Sequence, residues 1–220
     1  MSVGRGAHRR AGRSRRSDGE CGNMAPLAVA AAFVLFAALA FSVDQGIAYA
    51  TKARQENALD AARAACMDAS FALRAKNDDD PAARFAERAV RAVRDAGCAG
   101  SVAVWFYEAP ETDTAEGERM WAVGLQVEEE SPTVFARGFG VEGIPVASHR
   151  VMTAEPYAED RVWRPDERTC GRFDVAAGLD AVDAAFTRLG SLNEFPAEIG
   201  DQVRAALSDR VDEEEGGRQP

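Results

Sequence analysis

Histidine is nearly missing from this 220-residue chain: only His8 and His149 occur, which excludes a His-rich metal centre. Lysine is as scarce, Lys52 and Lys76 standing against 24 arginines. Together with 44 alanines, this is the residue usage of a GC-rich genome and needs no functional cause. Large apolar side chains are few as well. Leu, Ile, Val and Phe total 43 residues, just under a fifth of the chain, so the 46% hydrophobic content is largely alanine. Such a composition predicts a thin core in which helices pack closely on small residues. Excess positive charge is absent too. The net charge of -10 argues against a general nucleic-acid binder. No nucleophile–base pair, metal-ligand spacing or phosphate loop appears. The expectation is therefore no enzyme, no cofactor, no metal and no small-molecule substrate.

What is there is unevenly placed. Residues 1–23 carry Arg5, Arg9, Arg10, Arg13, Arg15 and Arg16 against Asp18 and Glu20, a net +4 that leaves -14 on the rest. Between them Met24–Val43, MAPLAVAAAFVLFAALAFSV, runs 20 residues without a charge. At about 1.5 Å per residue it reaches roughly 30 Å, the thickness of a bilayer's hydrocarbon core. A soluble core helix is seldom apolar on every face for so long. The basic side should stay in the cytoplasm by the positive-inside rule, with the acidic bulk outside. Ala38-Leu39-Ala40 fits a signal-peptidase site, and Ser14-Arg15-Arg16 begins like a twin-arginine signal. The apolar run exceeds the length of a cleaved signal, so the expectation is a retained single-pass anchor in the cell membrane.

No proline follows Pro26 until Pro81, and the residues after Gly46 favour helix. The sequence predicts one helix from about Pro26 to Ala75. Ala50, Ala53, Ala61, Ala64, Ala65, Ala69 and Ala72 form a narrow small-residue seam on it, and Lys52 and Glu56 support its exposed side at i,i+4. Asp80 caps a second helix with Pro81 in its first turn. Phe85, Ala89, Val93 and Ala96 make its stripe, and Gly97 closes it. The period then changes. Ser101–Tyr107, Met120–Glu128 and Ile144–Thr153 read as three strands, the last an edge strand with His149 on its surface. Val175, Leu179, Val182, Phe186 and Leu189 space out a third helix from Asp174 to Gly190, and Pro196 to about Ser208 a fourth.

The expected fold is α+β. A single transmembrane helix continues into a long extracytoplasmic helix packed on a small three-stranded antiparallel sheet, followed by C-terminal helices. The expected divisions are a basic cytoplasmic segment (1–23), a transmembrane helix (24–43), an α+β domain (44–170), a helical extension (171–210) and an acidic, disordered tail (211–220). Cys66, Cys98 and Cys170 lie outside the cytoplasm on this reading, where disulfides persist. Three pairings are open. Cys98 with Cys170 is the preferred one, and Cys66 suits a small buried apolar residue.

Several of these residues make a pattern. Gly22-Asn23 precedes the apolar helix, and Val43-Asp44-Gln45-Gly46 follows it. Then comes Gln55-Glu56-Asn57-Ala58-Leu59-Asp60-Ala61-Ala62. More loosely, an alternating strand from Val123 leads to Pro132 and Phe135-Ala136-Arg137. Over residues 22–155 this resembles the TadE/TadG-like proteins of the tight-adherence (Flp) pilus assembly systems of bacteria. The motif-bearing positions are Gly22, Asn23, Val43, Asp44, Gly46, Asn57 and Asp60. The resemblance implies a pilin-like domain and an accessory role in pilus assembly or secretion through protein contacts. The partners it implies are the lipid bilayer and other membrane proteins of the assembly, self included, with no nucleic acid. TadE-type members are cleaved after a glycine, with glutamate at the fifth mature position. Leu27 stands there in this chain, which favours the uncleaved, TadG-like form. The rival reading is a signal-anchored or secreted envelope binding domain unrelated to pili.

Overall fold

The computed structural model describes residues 24–110, 114, 119–154, 168–180 and 184–217, without the side chains of 76, 154 and 209–217. Its architecture is α+β. Helix α1 (Met24–Cys66) comes first, then α2 (Ala69–Lys76) and α3 (Pro81–Asp95). Strands β1 (Ser101–Glu108), β2 (Trp121–Pro132), β3 (Gly143–Ala154), β4 (Cys170–Val175) and β5 (Phe186–Arg188) form one sheet, and α4 (Ala197–Gly217) is the last described element. The strand order is β3-β2-β1-β4-β5, with every neighbour antiparallel.

The sheet is covered on both faces, and alternation along its strands decides which residues go where. Val102, Val104 and Phe106 of β1, with Trp121, Val123, Leu125 and Val127 of β2, face α1 and α3. Trp105 and Ala122 face α4, where Phe195, Ile199 and Val203 cover them. Gly124 is required on that second face: a Cβ there would lie 2.5 Å from Ile199 Cγ2. The first face holds the larger core. Phe85 of α3 packs tilted against Trp121 at 5.6 Å and meets Phe71 edge-on at 5.2 Å. Ala58 and Ala62 of α1 and Ala82, Ala86 and Ala89 of α3 are all buried there, so the helices do approach on small residues.

Two further devices hold the layers. Arg94, in the last turn of α3, donates to the carbonyls of Cys98, Gly100, Ala176 and Leu179, tying that helix to the start of β1 and the exit of β4. Glu108 and Arg119 form a fully buried ion pair, its second arm 3.0 Å long, with the guanidinium over Trp121. A pair out of water is costly to break because the surviving charge stays buried without its counter-ion.

The structure departs from the expected elements in several places. The predicted helix to Ala75 breaks after Cys66, because the Asp68 carboxylate accepts from the Phe71 N–H and the Ser70 hydroxyl and so starts α2. The sheet has five strands rather than three. The predicted third helix, Asp174–Gly190, does not form: Asp174 lies in β4 and Phe186 in β5. The alternation that places Phe173 and Val175 in the core beside β1 outweighs the helical spacing, and Phe186 closes on Phe173 at 4.9 Å. The division at 170/171 therefore cuts through the sheet, and the 171–210 stretch is not an all-helical extension. Finally, α4 continues to Gly217 into the stretch expected to be disordered. Other expectations hold. Asp80 caps α3 by accepting from Ala83 N–H, β3 is an edge strand, and Gly97 (φ +83°) closes α3.

Candidate functional site

Among the described residues, α1 is the one helix long and apolar enough to cross a membrane. Its first half, Met24–Val43, touches little of the protein: Leu27, Phe33, Leu35, Phe36 and Leu39 all stand exposed. The second half lies on the sheet. Asp44, Ala48, Thr51, Gln55, Ala58, Leu59, Ala62 and Cys66 are buried, at intervals of three, four or one that keep them on one stripe. The candidate site is the point where the halves meet.

Asp44 occupies that point with 2% of its surface exposed. Its carboxylate accepts from three consecutive backbone amides in the loop between β2 and β3: Val134 N at 2.7 Å, Phe135 N at 3.2 Å and Ala136 N at 2.7 Å. These amides open a short 3-10 turn, Ala136–Phe139, and the first N–H groups of any such turn lack partners within it. A carboxylate is the strongest acceptor a side chain can offer them. Burial pushes the Asp44 carboxyl pKa up, but the amides of Val134, Ala136 and Phe135 outweigh it and hold the group below the usual carboxylate value. The loop is closed on itself by Thr133, whose hydroxyl donates to Val141 O and whose N–H bonds Glu142 O at 3.3 Å.

Further contacts run up α1 from this clamp. Thr51 Oγ1 meets Ser131 Oγ at 3.3 Å, and Gln55 Nε2 donates to Val146 O at 3.1 Å. Arg54 binds both carboxylate oxygens of Glu129 at 2.8 Å, and Asp60 pairs with Arg150 at 2.6 Å. The β2–β3 hairpin therefore lies along α1 with its turn at Asp44. Chemically this is a joint: it fixes height and rotation and presents no reacting group. Among the described residues no cluster of three or more potential metal ligands forms. His149 stands on β3 between Glu198 (3.4 Å) and Gln202 (3.2 Å) of α4.

The motif positions separate under this geometry. Asp44 is the clamp, with Val43 and Gly46 exposed beside it. Asp60 carries the ion pair to β3, and Asn57 is exposed. Gly22 and Asn23 lie outside the described residues. The small-residue seam faces away from the sheet: Ala50, Ala53, Ala61, Ala64 and Ala69 are exposed, with Ala65 and Ala72 half-buried. The expected Cys98–Cys170 bridge is absent, and Cys66, Cys98 and Cys170 are free thiols. Cys170 lies beside Tyr107 at the far end of β1 from Cys98, so about 20 Å of strand separates them. That is far beyond disulfide reach. Burial raises all three thiol pKa values, Cys66 to about 12 and Cys170 to about 11.

Thr51, Gln55 and the 134–136 amides were not legible as a site. A buried polar residue on a helix looks, in sequence, like an exposed one. No protein-family model, curated protein or solved structure matches the chain.

Proposed function

We propose that the chain is a single-pass membrane protein whose pilin-like α+β domain stands outside the cytoplasm and serves as an accessory, TadG-like component of a Flp-type pilus assembly or secretion system. It works by contact with other membrane proteins and catalyses nothing. The observation that carries this reading is the continuity of α1. An apolar half that the protein leaves uncovered passes without a break into a half locked to a sheet. The six arginines of residues 1–23, next to the apolar run, support a cytoplasmic N-terminus. The resemblance supplies the class of assembly, and two of its elements, Asp44 and Phe135-Ala136, meet at the joint. The exposed seam on α1 gives a neighbouring helix room for close approach.

The test is genetic and structural together. Deleting the chain abolishes surface pili or secretion in a strain that makes them. Ala53→Leu, Ala61→Leu and Ala64→Leu, made singly, reduce crosslinks to other membrane proteins while the domain stays protease-resistant. Undiminished piliation after deletion sinks the assembly reading. Variants that unfold sink the seam as its surface. A reporter active only outside the cytoplasm, fused after Pro220, is active; activity of the N-terminal fusion instead overturns the orientation.

A further inference from the structure

Outside α1, six large apolar side chains stand exposed among the described residues, and four of them lie in one loop: Val134, Phe135, Phe139 and Val141. Phe139 is the most exposed large apolar residue described, at 83%. Exposed apolar patches of this kind mark a surface that is covered by something. What covers this one is indicated by where it sits and by its charge.

Position comes first. Asp44 is the residue immediately after the uncharged run that ends at Val43, and its carboxylate grips the loop amides directly. The rest of the hairpin climbs α1 away from that end, Ser131 meeting Thr51 and Arg150 meeting Asp60. The loop is thus the part of the sheet held lowest, level with the end of the apolar half of the helix. Charge comes second. The residues after 23 are strongly acidic as a whole, yet Val134–Val141, VFARGFGV, contains no acid and one charge, the exposed Arg137. Aromatic and aliphatic tips with a lone arginine suit the boundary of a bilayer, where the rings enter the acyl edge and the guanidinium meets phosphate.

We propose that the β2–β3 loop is a second membrane contact, with Val134, Phe135, Phe139 and Val141 seated in the interfacial layer of the bilayer that α1 crosses. This rests on the membrane-spanning reading of α1. The Asp44 clamp sets the depth of the loop, and the domain stands on two feet rather than on a single stalk.

The test reconstitutes the full chain in phosphatidylcholine–phosphatidylglycerol vesicles and reads tryptophan quenching by lipids brominated at shallow or deep acyl positions. Two reporters are compared after subtracting the emission of the unsubstituted chain. Phe36→Trp reports on the span and Phe139→Trp on the loop. The proposal requires that both are quenched, that Phe139→Trp loses more emission to shallow bromines than to deep ones, and that its emission shifts to the blue. If Phe36→Trp is quenched and Phe139→Trp is not, the loop faces water or a protein partner. The proposal then fails while the span stands. If neither is quenched, the spanning reading fails and the loop proposal with it.

Discussion

The two halves of α1 are one helix in two settings. Residues 24–43 bear large apolar side chains on every side and have almost no protein partners, whereas residues 44–66 bury one stripe made mostly of small or polar residues. Leu59 is the single large aliphatic on that stripe. The comparison teaches that apolar content does not track burial here. The half that packs on the sheet is held by Asp44, Thr51 and Gln55 as much as by alanine, while the half rich in Leu and Phe is left uncovered by the described protein.

The same substitution in the two halves gives the largest contrast. Leu59→Ala opens a cavity against α3 and the sheet and lowers the domain's unfolding free energy by about 2–5 kcal/mol. Leu35→Ala leaves it unchanged. Chemical denaturation of the detergent-solubilised chain, followed by near-UV circular dichroism, reads both. Equal losses would mean that the apolar half also packs on the domain.

A smaller effect attends the junction itself. Because the folded pKa of Asp44 is depressed, its contribution to stability is present in full above the unfolded value of about 4 and is lost as pH falls through the folded value. Asp44→Asn removes that acid-sensitive share, so the variant's stability falls less steeply than the parent's as the pH drops below the unfolded carboxylate value of about 4. Amide exchange at Val134 and Ala136 accelerates in the variant at neutral pH. Unchanged exchange would deny the clamp.

The smallest effect belongs to Asp60. Its pair with Arg150 is exposed at the Asp60 side and half-buried at the Arg150 side, so Asp60→Ala costs about 0–1 kcal/mol and less in high salt. A larger loss would show that the motif aspartate is a fold residue and not a surface one.

How much of this was readable without coordinates depended on whether the deciding partner was local. α3 was legible because Asp80-Pro81 starts it and its stripe is complete within fifteen residues. The edge character of β3 showed in Ser148, His149 and Arg150. The stretch after Asp174 was misread because a few apolar residues can satisfy two periods at once, and the arbiter is β1, some seventy residues earlier, which supplies the ladder for β4. The break at Asp68 carried a signal, a carboxylate two residues before a serine, outweighed by the helix-favouring residues around it. At the junction, Asp44 and Phe135-Ala136 each stood out in the sequence. That they touch across ninety residues did not, since nothing in either segment names the other.

The joint has a mechanical consequence. A helix unbroken from Met24 to Cys66, gripped by the sheet at Asp44, Thr51 and Gln55, contains no swivel. Turning its apolar end about its axis by one residue's worth, about 100°, turns the whole sheet by the same angle. The azimuth of the sheet is then fixed relative to the apolar end of the helix, so any rotation of Met24–Val43 is carried undiminished to the strands.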